Sequence, residues 1–233
     1  MRIAVCFSGN LRTVRDCYES HYNNVLKIFN PDVFFHTWDS VESKTKSWHN
    51  KHMKNKSVDD KLISFIENKY LPKNIIIDRA IDFNLNSYQI GTKIELNGLK
   101  SMTYSIMKSF KMANEYSDYD YFIKIRPDIM INDNFLKLPT DCNINLYGNK
   151  KNKPLFFKKQ DVNYGALDCL FVYNNEKNTC NPFQVFDQFE KFYCRDRFFH
   201  SPFLDYLIFN NSNFRINKEV VYGKDWIIKR SSQ

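Results

Sequence analysis

A chain of 233 residues, 43% of them hydrophobic, is long enough to bury a substantial core and fits one large domain. Its net charge of +8 and isoelectric point near 9.0 admit nucleic acid, an anionic membrane surface or a phosphorylated small molecule as partner. The excess lysine lies largely in SKTKSWHNKHMKNKSVDDK (43–61), with no arginine-rich tract or nucleic-acid motif, and this argues against a specific nucleic-acid partner.

The opening MRIAVCFSGNLRT has an apolar run too short for a signal peptide or a membrane span, so a cytoplasmic protein without a transmembrane segment is expected. RIAVCF (2–7) has the character of a buried parallel strand stopped by Ser8-Gly9-Asn10. Val14, Cys17, Tyr18, His21, Val25 and Ile28 then recur about one turn apart, predicting a helix that ends at Asn30-Pro31. DVFFHTW (32–38) is a second strand, so the chain opens β-α-β.

The polar stretch from Asp39 to Asp60 reads as a loop or insertion. A helix near 58–69 and a strand NIIID (74–78) come next. Leu99, Met102, Ile106, Phe110 and Ala113 form the apolar stripe of an amphipathic helix, whose other side carries Lys100, Tyr104, Lys108 and Lys111. That second stripe reads most simply as a solvated face.

YDYFIKI (119–125) is the next strand, ending at Arg126-Pro127-Asp128, with Phe122, Lys124 and Arg126 on one face and Tyr121, Ile123 and Ile125 on the other. Shorter pieces come after it: NINLYG, PLFF, CLFVYN (169–174), helices near 182–194 and 202–210, and FRINKEVV. The front half is doubly wound α/β and the back half mixed. Six widely spaced cysteines lack the pairing of zinc or redox motifs, and four in apolar surroundings read as buried free thiols.

Ligands of open parallel sheets bind beyond the carboxyl ends of the strands. That rule selects Ser8, Gly9, Asn10 and Arg12 after the first strand, His36, Trp38 and Asp39 after the second, and Arg126 and Asp128 after the central one. FSGNLRT is neither a GxGxxG nor a Walker loop; it suits a phosphate-binding turn or an ordinary strand-to-helix cap. Asp128, at a strand tip, is placed either to hold a divalent metal or to pair locally with Arg126 or Lys124.

AVCFSGNLRT, PDVFFHTWDS, the segment from Leu99 to Ile131, NYGALDCLFVYN and HSPFLDYLIFNN resemble, in that order, a glycosyltransferase-like family of bacterial surface-polysaccharide clusters and large DNA viruses. The resemblance covers most of the chain outside about residues 40–97. It implies a single GT-A (Rossmann-like) α/β domain with a mostly parallel central sheet flanked by helices. The donor-binding half would span about 1–135 and the acceptor half about 136–233.

It further implies a nucleoside-diphosphate sugar as donor, a glycan as acceptor, and Mn²⁺ or Mg²⁺ on the diphosphate. The family's paired aspartates are reduced here to Arg126-Pro127-Asp128, so Asp128 would hold the metal with fewer protein ligands, or Arg126 would replace part of its charge. Asp168 matches the general base of inverting members and His200 a metal ligand. Taken from the residues alone, Asp168 also suits a strand-start cap and His200 a loop position. By the same comparison Lys100, Ser101 and Tyr104, with Lys108, face the nucleotide instead of solvent. A non-catalytic nucleotide- or glycan-binding relative is the alternative, and the lysine-rich loop leaves room for peripheral membrane contact.

Overall fold

Short, wholly buried strands such as IAVCFS and LFVYN need cover on both faces. The computed structural model of the chain, which describes residues 1–41, 57–85, 96–133, 135–147, 149–151, 163–165, 169–175, 182–189, 191, 206–207, 210, 213–216 and 225–229, supplies that cover with helices. In chain order these residues form β1 (Ile3–Ser8), α1 (Val14–His21), a π-helical turn (Tyr22–Leu26), α2 (Lys27–Phe29), β2 (Asp32–Trp38), α3 (Asp60–Tyr70), β3 (Asn74–Asp78) and α4 (Leu96–Tyr116). Next come β4 (Tyr121–Ile125), β5 (Ile129–Ile131), β6 (Ile144–Leu146), β7 (Asn149–Lys151), β8 (Asn163–Gly165), β9 (Leu170–Asn174), a 3₁₀ turn (Pro182–Val185), β10 (Phe214–Ile216) and β11 (Trp226–Ile228).

Seven strands make one sheet in the order β10-β6-β9-β4-β1-β2-β3. β1 pairs in parallel with both β2 and β4, and β2 in parallel with β3. β9 enters antiparallel between β4 and β6, so the sheet is mixed but mostly parallel. β11 pairs with β5, and β7 with β8, as separate antiparallel ribbons.

Alternation along the strands feeds two apolar layers. Val5, Phe7, Phe35, Ile123 and Ile125 pack against α1 and α3 through Val14, Leu62, Ile66 and Tyr70. On the opposite face Ala4, Cys6, Phe34, Phe122 and Phe171 pack against Ile106, Phe110 and Ala113 of α4. Phe110 is fully buried, so truncating it to Ala would cost about 3–5 kcal/mol. α3 starts where Asp59 accepts a hydrogen bond from the Leu62 amide at 2.8 Å.

The helix expected after β1 departs from its stripe at one place. The π-helical turn at Tyr22–Leu26 rotates the last helical residues before Asn30, so Ile28 is 43% exposed while Leu26 and Phe29 pack on the core instead. Residues 42–56 of the expected insertion and the whole of PLFF lie outside the described residues. Of the helix expected near 182–194, the 3₁₀ turn Pro182–Val185 is described, and of the one near 202–210, the helical pair Tyr206 and Leu207, both buried. Cys6, Cys17, Cys142 and Cys169 are buried free thiols. No helix among the described residues is long and apolar enough to cross a membrane.

Candidate functional site

Strand register brings the selected loops together. Ser8 lies opposite His36, and Phe7 opposite both Phe35 and Ile125, so the ends of β2, β1 and β4 stand side by side. Gly9 turns the chain off β1 with φ +124°, a conformation that L side chains rarely adopt, while its amide donates to the His36 carbonyl at 3.2 Å. Beyond that turn, the Ser8 hydroxyl and the Asn10 carbonyl oxygen are buried without a hydrogen-bond partner among the described residues. Leaving such groups unpaired costs about 1–3 kcal/mol each, which a polar ligand would recover.

Arg126 closes a fork on Asp128: Nε donates to Oδ1 at 3.0 Å and Nη2 to Oδ2 at 2.7 Å. Arg12, leading into α1, brings its Nε within 3.4 Å of the same Oδ2. Behind them the Asp128 carbonyl accepts from the Lys229 amide at 2.7 Å, and Thr13 donates to the Lys229 carbonyl at 3.2 Å. Lys124, on the same strand face as Arg126 and fully buried, donates to the Cys169 carbonyl at 3.3 Å. The Arg126 amide donates to that carbonyl too, at 3.0 Å. Among the described residues, the cations Arg12, Lys124 and Arg126 and the carboxylate of Asp128 therefore share the tip of β4.

The tips of β2 and β3 differ. His36 is buried, with Nε2 3.1 Å from Asp78 Oδ2 and Nδ1 2.8 Å from the Ser105 hydroxyl of α4. Burial pushes its pKa down to about 4 against the opposing pull of Asp78, so the ring is neutral at pH 7. Because an ionised carboxylate only accepts, the proton is assigned to Nε2, and Ser105 donates to Nδ1. Asp78 Oδ2 also accepts from Tyr104 at 3.0 Å and lies 3.8 Å from the Lys108 ammonium. Burial tends to raise the Asp78 pKa, but the hydrogen bonds from His36 and Tyr104 outweigh it and the net shift is downward. Tyr104 is pushed up to about 12 by burial and by its bond to Asp78.

Trp38 stacks on Tyr104 with ring centroids 5.5 Å apart, and Phe186 meets the edge of the same tyrosine at 5.2 Å. Lys100 sits over the rings of Phe83 and Phe186, at 5.2 and 5.5 Å. The lysine stripe of α4 thus divides: Lys111 is exposed, whereas Lys100 and Lys108 lie over the rings of this aromatic cluster, which Tyr104 joins. Ser101 is half-buried near the start of the same helix, and Asp39 accepts from the Ala80 amide at 3.3 Å, tying the ends of β2 and β3.

The structure therefore gathers Ser8, Gly9, Asn10, Arg12, Arg126 and Asp128 into one cluster and His36, Trp38, Lys100 and Tyr104 into its neighbour. Asp168 and His200 lie outside the described residues. Asp78, Ser105, Phe83 and Phe186 were not anticipated, although the strand-end rule applied to NIIID would have found Asp78.

Asp128 differs from a carboxylate presented at a strand tip. It is 1% exposed, with both oxygens engaged by guanidinium groups. A divalent ion needs carboxylate lone pairs directed at an open position, so Asp128 as held here does not fit the metal that the resemblance implies. No group of three or more His, Cys, Asp or Glu able to hold a metal occurs among the described residues.

No protein-family model and no curated protein matches the sequence. Among solved structures, the Mn/GDP form of core-mannan synthase A from Aspergillus fumigatus gives a TM-score of 0.51 at 9% identity, covering 92% of this chain and 70% of that one. A glycosyltransferase involved in the glycosylation of the major capsid of PBCV-1 gives 0.49 at 7% identity, covering 100% of this chain and 95% of that one. At such identities the likeness is one of fold, and that fold is the GT-A (Rossmann-like) α/β domain.

Proposed function

We propose that the protein is a glycosyltransferase moving a sugar from a nucleoside diphosphate to a hydroxyl of a glycan. One observation carries the reading: a guanidinium cluster and an aromatic cluster lie side by side at the carboxyl edge of a GT-A sheet, at the tips of β4 and β1 and of β2 and β3. Two strand steps separate β4 from β2, about 10 Å, which a nucleoside diphosphate spans. Arg12 and Arg126 would take the diphosphate, and the orphaned oxygens of Ser8 and Asn10 would accept ligand hydroxyl or N–H groups. The stacked pair of Trp38 and Tyr104 would border the nucleoside, with Asp78 receiving one of its donors.

In the proposed transfer, an acceptor hydroxyl oxygen bonds to the anomeric carbon as that carbon's bond to the diphosphate breaks. The electron pair leaves on the nucleoside diphosphate, and the hydroxyl proton passes to Asp168. Residues 1–135 would hold the donor and residues beyond them the acceptor. Asp168→Asn is expected to abolish turnover while leaving donor binding nearly intact, measured by donor hydrolysis and calorimetry. Full activity in that variant would remove Asp168 from the role. Binding of donor nucleotide without turnover in the parent protein, unaffected by Asp168→Ala, would favour the non-catalytic relative instead.

A further inference from the structure

The carboxylate at the tip of β4 lies deeper than the cations that hold it. Asp128 is 1% exposed, Arg12 10% and Arg126 20%. An anion arriving from solvent meets guanidinium before it meets carboxylate. We propose that the protein neutralises its donor diphosphate with Arg12 and Arg126, oriented by Asp128, in place of a divalent metal on that aspartate. The inference rests on the donor reading above and assigns its diphosphate subsite.

Asp128 acts here as a positioning residue. A guanidinium has five N–H donors in a fixed plane; Asp128 accepts from Nε and Nη2 of Arg126 and forms a longer ion pair, 3.4 Å, with Arg12. The fork, with Arg126 Nη1 donating to Cys169 Sγ at 3.4 Å, sets the plane of the Arg126 guanidinium before any ligand arrives. Such preorganised donors avoid the reorganisation cost that mobile surface arginines would carry. The carboxylate is itself held from behind, since Lys229 donates to its backbone carbonyl at 2.7 Å and the amide of Ile129 donates to the Arg126 carbonyl at 3.1 Å, closing the turn. Lys124, one pleat earlier on the same face and fully buried, stands beside the two guanidiniums as a third cation.

The test is calorimetric titration of the full chain with UDP, GDP, CDP and ADP, once in EDTA and once in excess Mn²⁺. The best nucleotide is expected to bind with Kd equal within about twofold in the two buffers, because the guanidiniums carry the charge. A Kd at least tenfold tighter in Mn²⁺ overturns the inference and leaves the donor reading standing. Absence of binding by all four nucleotides in both buffers overturns the donor reading, and the inference with it.

Asp128→Asn separates the alternatives by sign. Removing the negative charge while keeping one acceptor for Arg126 should tighten nucleotide binding about threefold; loss of a metal ligand would instead weaken it tenfold or more. Arg12→Lys, at the entry to α1, should weaken binding about tenfold in EDTA, since an ammonium cannot form the fork. Circular dichroism melts of each variant identify any that fail to fold, and the comparison of buffers on the parent protein decides the matter without them.

Discussion

The tip of β4 and the tips of β2 and β3 lie on one edge of one sheet, yet they handle buried polarity in opposite ways. At β4 the groups are charged and compensate one another, Arg12 and Arg126 against Asp128. At β2 the buried group is a neutral histidine, relayed between the Ser105 hydroxyl and Asp78. A charged cluster tolerates burial only while every partner stays, because removing one leaves an uncompensated ion. A neutral relay tolerates burial until a proton is added. Behind the charged tip, too, stands a neutral histidine: His21, fully buried, links the Tyr70 hydroxyl at 2.8 Å and the Ile129 carbonyl at 2.6 Å. Each tip therefore leans on one imidazole, and the two should fail differently.

Acid should break both together, with the largest effect. Burial pushes the pKa of His21 and of His36 down to about 4, while the unfolded chain titrates near the ordinary value of 6.5. Between those values the unfolded state binds more protons, so stability is complete above about pH 6.5 and is lost as pH falls toward 4. The two together amount to about 7 kcal/mol, read from urea unfolding at stepped pH, and replacing either by Gln should remove roughly half of the slope. A flat profile across that window would contradict the burial of both rings.

Arg126→Ala should break the charged tip alone, costing about 3–5 kcal/mol because Asp128 keeps only the longer contact to Arg12. A loss under about 1 kcal/mol in urea titration would mean that the fork contributes nothing. Tyr104→Phe should act on the other tip. It removes one of three donors from Asp78 Oδ2, lowers stability by about 2 kcal/mol, and weakens nucleoside diphosphate binding while leaving inorganic pyrophosphate binding as it was. Equal losses for both ligands would merge the two tips into one site. The smallest effect is expected from Ser8→Ala, which should stabilise the empty protein by about 1 kcal/mol and weaken nucleotide binding, since its hydroxyl has no partner among the described residues.

Much of this arrangement was legible in the sequence, and for a physical reason. The runs RIAVCF, DVFFHTW, NIIID and YDYFIKI are β1 to β4 within two residues, because parallel strands buried on both faces must be apolar and must stop at residues that cannot continue them. The strand-end rule then placed Ser8, His36, Arg126 and Asp128 on one edge. It gave positions without orientations, so Asp128 was left between holding a metal and pairing locally, and the structure has it paired with Arg126. Ile28 was misplaced because a π-helical turn leaves no mark in apolar spacing. β5 and β11 were missed because three-residue strands carry little pattern and their pairing spans about a hundred residues of chain. Phe83 lies in no predicted element and Phe186 in the helix expected near 182–194, distant in sequence from α4, so only the folded chain brings them to Tyr104.

The hydrogen bond from the Lys229 amide to the Asp128 carbonyl, flanked by the pairing of β11 with β5, also bears on the order of events during synthesis. Translation makes β1 to β4 early, but the turn that carries Arg126 and Asp128 gains its backing only after residue 229 has emerged. Contacts of such sequence separation form late, because the long intervening loop must close first. A ribosome-bound chain ending near residue 135 would hold every donor-side residue proposed above and still lack the support that aims its arginines. Nucleotide binding should therefore switch on late in translation, as a property of the whole chain.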